Sequence, residues 1–164
     1  MTHRIRYILL ITLSLLWIGS VNLHAEQAKI PPFRITQTNG DVFYAKDLPA
    51  GKPLIIIYFS PDCADCLDFM HSFFPKIHHF DNANIAMISY LPLQEVQRFA
   101  KRFNVKQYSN VVIGTEAPAL FIRDYFHIVE IPFLALYDKE GNKICTYQGS
   151  IPLHTVMTLF RKLK

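Results

Sequence analysis

The chain has 164 residues, of which 51% are apolar and 18% charged, and its formal net charge is +4 at pH 7. This length suits one domain with a substantial core, and the apolar fraction excludes an intrinsically disordered chain. Without residues 1–25, which contain two arginines and no acidic residue, the net charge falls to +2. A charge this small, with no basic stripe, argues against a nucleic-acid-binding surface.

Residues 1–25 have the pattern of a secretory signal peptide. Two arginines precede an apolar run over residues 7–18, and a more polar stretch ends in Ala25. The pattern predicts cleavage after Ala25 and a mature domain over 26–164. The alternative is an uncleaved membrane anchor. No charged residue lies between Arg6 and Glu26, and the length of this uncharged span is close to the minimum of about 17 residues for a membrane-spanning helix. We therefore expect a periplasmic or secreted protein, or one anchored in the inner membrane and facing the periplasm, where disulfides form.

The first half of the domain predicts a hairpin, a buried strand and a helix. Asn39, Gly40 and Asp41 form a turn signal between extended segments at 33–36 and 42–44. The continuous apolar run Leu54–Phe59 is typical of a central strand covered on both faces. An amphipathic helix should run from about residue 62 toward residue 80, and Pro75 should kink or end it near Phe74.

In the second half, strands and helices are predicted to alternate. A buried strand is predicted over 84–91, an amphipathic helix over 93–103, a short strand over 111–113, and then a helix opened by Pro118. Strands over 128–137 and 143–147 and a closing helix over 153–163 complete the chain. Strands alternating with helices predict an α/β fold with a mixed central sheet flanked by helices.

Cys63 and Cys66 form a Cys-x-x-Cys pair between the strand and the helix. The N-terminus of a helix stabilises the thiolate of the first cysteine, and the second lies close enough to attack a mixed disulfide. The alternative is half of a zinc site, but the sequence offers only Cys145 and scattered histidines as further ligands. The arrangement therefore favours dithiol–disulfide chemistry. Cys145 is interpreted as an inert, partly buried thiol, with an intermolecular or resolving role as the alternative.

Pro132, after Ile131, precedes an apolar strand and should mark a special turn. With this proline and the Cys-x-x-Cys pair, the chain resembles the thioredoxin superfamily. In that family a cis-proline at the start of a late strand faces the cysteines. The resemblance implies that the Ile131 backbone pairs with a substrate chain beside Cys63, so Ile131 and Pro132 are candidate substrate-binding residues.

Within the superfamily, residues 33–164 are most similar to the envelope thioredoxin-like reductases, the TlpA/ResA-like group of AhpC/TSA-type redoxins. The similarity includes the N-terminal β-hairpin, an inserted strand and helix over 111–126, and the late pattern around Pro132. The chain departs from the superfamily at Ile57, where cytoplasmic thioredoxins carry a buried aspartate, and at Asp62, where the family has tryptophan. The resemblance thus implies a thioredoxin-like fold with unusual tuning of the cysteine pair.

The functional hypothesis is a thiol-disulfide oxidoreductase that reduces disulfides of envelope proteins through Cys63 and Cys66. It would need no cofactor and no metal, and would take electrons from a membrane or envelope donor. Acidic residues around the pair (Asp62, Asp65 and Asp68) should cap and charge the first helical turn. They should also disfavour the Cys63 thiolate, and so favour a reductant over a DsbA-like oxidant.

A binding protein is the alternative from another class. Two thiolates also suit copper(I), so a thioredoxin-like copper(I) metallochaperone stays open. Copper-delivery relatives usually space their cysteines by three residues and add a histidine. The spacing of Cys63 and Cys66 argues against this function, whereas His127 is available as a further ligand.

Overall fold

The computed structural model describes residues 29–163, so the predicted signal peptide lies outside the described residues. The described chain forms one seven-stranded mixed sheet flanked by helices. The strands are β1 (Arg34–Gln37), β2 (Val42–Tyr44), β3 (Leu54–Phe59), β4 (Asn84–Ser89), β5 (Val111–Thr115), β6 (Phe133–Tyr137) and β7 (Lys143–Gln148). The helices are α1 (Ala64–Phe73), α2 (Leu93–Arg102), α3 (Phe121–Tyr125) and α4 (Leu153–Arg161).

The sheet order is β2-β1-β5-β4-β3-β6-β7. The strands β3, β4 and β5 are parallel neighbours, whereas β6 and β7 continue the sheet antiparallel on one side and β1 and β2 on the other. The predicted hairpin is confirmed, with Arg34 opposite Tyr44. The inserted strand is β5, which lies between β1 and β4. The predicted mixed α/β fold is therefore confirmed.

The central strand β3 is buried along its whole length, as predicted. Its side chains alternate between two core clusters, one on each face of the sheet. Ile55, Ile57 and Phe59 pack with α1, α2 and α4. Leu54, Ile56 and Tyr58 pack with β1 and with Ile122 of α3. Burial on both faces explains why this segment has no charged residue.

The helix after the cysteine pair ends where Pro75 predicts. The α-helical part stops at Phe73, and residues Phe74–Phe80 continue as a 3-10 helix. The apolar stripe is buried as expected: Cys66, Phe69, Met70, Phe73, Phe74 and Ile77. Among the described residues, no helix is both long and apolar enough to cross a membrane.

Two predicted elements differ from the structure. Pro118 does not open a helix, since α3 begins only at Phe121, with Leu120 as its N-cap. The N–H of Ile122 donates to the Glu116 carboxylate at 2.7 Å, so a side chain satisfies the start of α3.

The strand predicted over 128–137 begins only at Phe133. His127 has a φ of +50°, which interrupts the extended backbone, and Ile128 donates its N–H to the Arg123 carbonyl at 2.9 Å. Ile128 is buried in the second core cluster, whereas Val129 is 85% exposed. An apolar run here forms a loop rather than a strand.

Candidate active site at the N-terminus of helix α1

The site begins where β3 ends and the chain turns into α1. Cys63 is the N-cap residue, with extended backbone angles of φ −84° and ψ 121°. Its Sγ accepts a hydrogen bond from the Cys66 N–H at 3.2 Å, and its carbonyl accepts one from the Leu67 N–H at 3.0 Å. The sulfur thus takes the place of the oxygen in a usual N-cap side chain. This position also puts Cys63 at the positive end of the helix dipole.

Cys66 lies one turn further and faces the core. Its side chain is fully buried against the apolar residues shared by β3 and α1. Burial raises the pKa of the Cys66 thiol far above its ordinary value, and its hydrogen bond with Cys63 raises it further, while the Ser60 backbone lowers it. Cys63 is only partly buried. The pair therefore consists of one accessible thiol and one shielded thiol that stays protonated at neutral pH.

Ile131 and Pro132 lie beside Cys63, although 68 residues separate Ile131 from Cys63 in the sequence. The Ile131–Pro132 peptide bond is cis, and Pro132 is buried immediately before β6. The Cys63 Sγ lies 3.9 Å from the Ile131 carbonyl oxygen, which it faces as a weak donor. The structure therefore brings all four predicted site residues together, on a loop and a helix start.

The acidic residues near the pair have separate roles. Asp62 accepts a hydrogen bond from the hydroxyl of the buried Ser60, so its carboxylate does not cap α1. The prediction that these acids cap the helix is wrong in this detail, since the cap is Cys63 itself. Asp65 lies in the first turn of α1, and its charge adds to the raised pKa of Cys66. Ile57, in place of a carboxylate, is fully buried under the pair.

An open groove of about 770 Å³ runs beside the site. Its acidic side chains are Asp65, Asp68 and Glu130, and Lys76 is its basic one. The remaining lining residues are Phe69, Ser72, Gly149, Ser150, Ile151 and Leu153. The groove therefore joins the start of α1 to the loop that carries Ile131.

Cys145 and His127 do not join the cysteine pair. Cys145 is partly buried on the edge strand β7, opposite Leu136, and burial raises the pKa of its thiol. His127 is exposed in the turn after α3. Within residues 29–163, no group of three or more histidine, cysteine or acidic side chains is placed to hold a metal ion.

Sequence reasoning missed Gln148, the last residue of β7. Its side-chain oxygen accepts hydrogen bonds from the N–H groups of Val129 and Glu130, at 2.9 and 3.3 Å. A glutamine at the end of a strand carries no signal by itself. Its contact appears only when β7 is paired with β6.

Comparison with known proteins finds similarity of structure only. No protein-family model matches the sequence, and no curated protein matches it. A thiol-disulfide isomerase from Corynebacterium glutamicum has a TM-score of 0.69 at 14% identity, over 85% of this chain and 97% of that one.

Two further solved structures are similar. A secreted Mycobacterium tuberculosis disulfide oxidoreductase, homologous to E. coli DsbE, has a TM-score of 0.67 at 17% identity, over 80% of this chain and 96% of that one. The exposed lipoprotein thioredoxin Etrx1 of Streptococcus pneumoniae has a TM-score of 0.60 at 18% identity, over 81% of this chain and all of that one. The chain therefore has the fold of the thioredoxin superfamily, which confirms the fold that its sequence resemblance implied.

Proposed function

We propose that this protein is a TlpA/ResA-like thiol-disulfide oxidoreductase that reduces disulfides of envelope proteins. One observation carries the proposal: a partly exposed thiol at a helix N-terminus lies against a buried second thiol. The Cys66 N–H is 3.2 Å from the Cys63 sulfur, and the Cys66 side chain has no exposed surface. Solved structures with this fold include a disulfide oxidoreductase and a thiol-disulfide isomerase, which supports the same class of reaction.

The first step belongs to Cys63. Its thiolate attacks one sulfur of a substrate disulfide, the substrate S–S bond breaks, and the other substrate sulfur leaves as a thiolate that takes up a proton. The product is a mixed disulfide between Cys63 and the substrate. The Cys66 N–H and the dipole of α1 stabilise the attacking thiolate.

The second step belongs to Cys66. It loses its proton and attacks the Cys63 sulfur, which breaks the mixed disulfide and releases the second substrate sulfur as a thiol. The substrate gains two electrons, and the protein is left with a Cys63–Cys66 disulfide. A membrane or envelope donor then returns two electrons to the pair. No cofactor takes part in this cycle.

The substrate chain is proposed to pair with the backbone of Ile131, before Pro132. The Ile131 carbonyl already faces the Cys63 sulfur, and no partner for the Ile131 N–H is found among residues 29–163. With a free N–H and a carbonyl that accepts only from a weak thiol donor, this backbone can add one strand-like contact to a bound peptide. The substrate disulfide would then lie beside Cys63.

The proposed direction is reduction. Asp65 lies in the first turn of α1, which Cys63 caps, and its negative charge disfavours negative charge on the Cys63 sulfur in the reduced form. A reduced form that is less stable relative to the disulfide makes the pair a better reductant. The proposed location is the periplasm or the cell exterior, with residues 1–25 as a signal peptide or anchor.

The midpoint potential of the Cys63/Cys66 pair tests the function. The Cys145→Ser protein is equilibrated in graded thiol/disulfide buffers, and free thiols are counted by alkylation and mass. A two-electron midpoint near about −270 mV supports a reductase, whereas one near about −120 mV supports a DsbA-like oxidant. Absence of a reversible disulfide overturns the proposal, and copper(I) binding by the reduced protein is then measured.

Two variants test the roles of the cysteines. Cys63→Ser should abolish turnover of a protein disulfide, because it removes the attacking sulfur. Cys66→Ser should trap the substrate as a mixed disulfide, visible on a non-reducing gel. Normal turnover in Cys63→Ser would contradict the mechanism.

A further inference from the structure

The loop over residues 129–132, which carries Ile131, has few apolar contacts of its own. Val129 is 85% exposed and Glu130 is exposed, whereas Ile131 packs partly against both core clusters. Loops with exposed side chains depend on hydrogen bonds for a fixed position. The bonds that fix this loop come from the end of β7.

Gln148 and Gly149 supply these bonds. The Gln148 side-chain oxygen accepts from both Val129 and Glu130, and the Gly149 N–H donates to the Pro132 carbonyl at 2.9 Å. A Cβ on Gly149 would lie 2.5 Å from a Glu130 carboxylate oxygen, so the two segments are in close contact. The loop is therefore held on both sides of Ile131.

These bonds also decide which backbone groups stay free. The N–H groups of Val129 and Glu130 are occupied by Gln148, so a bound peptide cannot use them. Ile131 keeps an N–H without a partner in the described chain and a carbonyl directed at the Cys63 sulfur. One residue of the loop thus offers its backbone to a partner.

We propose that Gln148 is a positioning residue for protein substrates. It fixes the loop so that a substrate chain pairs only at Ile131, in the register that brings its disulfide to Cys63. This inference rests on the proposed function and adds to it a residue that acts through the backbone of the loop. Small disulfides, which make no backbone pairing, should not depend on Gln148.

The test compares Gln148→Leu with Gln148→Glu. Leucine has a similar size but no acceptor, whereas glutamate keeps an acceptor oxygen at the same position. For a protein disulfide, we expect Gln148→Leu to raise KM about tenfold with little change in kcat, because it removes two hydrogen bonds that order the substrate-binding loop. Gln148→Glu should stay within about twofold of wild type. In Gln148→Leu, which changes no charge, the rate with a small aromatic disulfide and the midpoint potential should be unchanged.

Hydrogen exchange provides a readout that is independent of turnover. In Gln148→Leu the amides of Val129 and Glu130 should exchange at least about tenfold faster, while the amides of β6 keep their rates. Gln94→Leu is the control, since Gln94 is an exposed glutamine on α2. It should change neither KM nor exchange.

The outcomes separate this inference from the proposed function. If the wild-type protein reduces no disulfide, both fail. If it reduces protein disulfides but Gln148→Leu keeps the wild-type KM, the role of Gln148 alone is overturned. An equal loss of activity with the small disulfide in Gln148→Leu, or a KM in Gln148→Glu as high as in Gln148→Leu, also overturns it.

Discussion

Two cysteines separated by two residues behave differently because one caps a helix and the other faces the core. The Cys63 sulfur accepts a hydrogen bond from the Cys66 N–H and stays partly accessible, whereas the Cys66 side chain is packed in the core with no exposed surface. The N–H that stabilises negative charge on the Cys63 sulfur is that of Cys66, whose own thiol is buried. The order of attack in the proposed cycle follows from this difference.

The raised pKa of Cys66 can be measured by alkylation. In the Cys63→Ala/Cys145→Ser protein, Cys66 is the single thiol. Burial is the largest cause of its raised pKa, so its thiolate fraction should rise about tenfold per pH unit throughout pH 7–10. An ordinary thiol, with a pKa of about 8.5, levels off above about pH 9. The alkylation rate is followed by mass spectrometry.

The control for that measurement is the same variant unfolded in urea. Its rate should level off near pH 9, because the unfolded chain exposes the thiol. A plateau at the same pH in the folded protein would show that burial does not hold the Cys66 thiol protonated.

The charge of Asp65 gives a second prediction for single residues. Asp65→His should raise the midpoint potential of the pair, because it removes a negative charge from the helix turn that Cys63 caps, where negative charge on the Cys63 sulfur stabilises the reduced form. Asp65 is exposed, so the shift should be on the order of 10–20 mV. Asp81→His is the matched control, since Asp81 is exposed just before β4, at the end of the sheet away from Cys63. A lower or unchanged midpoint in Asp65→His would contradict the electrostatic argument.

Among the elements, those marked by a clear hydrophobic pattern or by a proline that ends a helix were predictable. The buried run of β3 and the stop at Pro75 come directly from hydrophobic pattern and proline chemistry. The loop over 128–132 was not predictable, because Ile128, Val129 and Ile131 have the apolar pattern of a strand. The positive φ of His127 and the burial of Ile128 in the second core cluster keep this segment in a loop. Local patterns cannot show such long-range contacts.

Some residues of the site were also predictable from the sequence and others were not. Cys63, Cys66 and Pro132 are recognisable from their order and context in the sequence. Gln148 is not, because its function depends on side-chain contacts with a loop 18 and 19 residues earlier in the chain. Contacts of this kind follow from the pairing of β6 with β7 and have no local pattern.

The position of the inserted strand β5 depends on a close backbone approach. Gly114 pairs with Gln37 of β1, and a Cβ at Gly114 would lie 2.4 Å from the Thr36 carbonyl oxygen. Gly114→Ala should therefore push the hairpin away from β5 and cost about 1–3 kcal/mol of unfolding free energy. Urea denaturation gives this value, and hydrogen exchange of β1 amides shows where the change occurs.

A control in the same strand separates crowding from general damage. Val111→Ala shortens a partly buried side chain without adding an atom near β1. It should leave the β1 exchange rates at the wild-type level. Wild-type stability and β1 exchange in Gly114→Ala would show that the hairpin does not need the glycine.

In the whole molecule, the site and the start of the described chain lie at opposite ends of the sheet. Tyr58, near Cys63, pairs with Phe133 at the start of β6, whereas Leu54 pairs with Tyr137 at its end. Lys29 forms a bridge with Asn142, in the turn that follows Tyr137. Cys63 is therefore at the end of the sheet away from Lys29, where residues 1–28 join the domain.

Two buried tyrosines on one face of the sheet also give the whole protein a predictable response to alkali. Tyr58 and Tyr137 are fully buried, and burial raises the pKa of each hydroxyl well above its ordinary value of about 10. In the unfolded chain these hydroxyls ionise near pH 10, so the folded state then holds more protons than the unfolded state. Folding stability is therefore complete below pH 10 and falls above it, by about 1.4 kcal/mol per pH unit for each group.

The redox state of the pair should add to this response. In the reduced Cys145→Ser protein, Cys66 is a further buried acid that ionises near pH 8.5 when the chain unfolds, so the loss of stability begins about 1.5 pH units earlier than in the oxidised form of the same variant. Urea denaturation from pH 7 to 11 measures both states, and Tyr58→Phe should reduce the slope above pH 10 by one group. Tyr44→Phe is the control, since Tyr44 is 43% exposed and its hydroxyl is not buried in the core. Equal slopes for Tyr58→Phe and wild type, or the same onset in the reduced and oxidised proteins, would show that these buried groups do not set the alkaline limit of the fold.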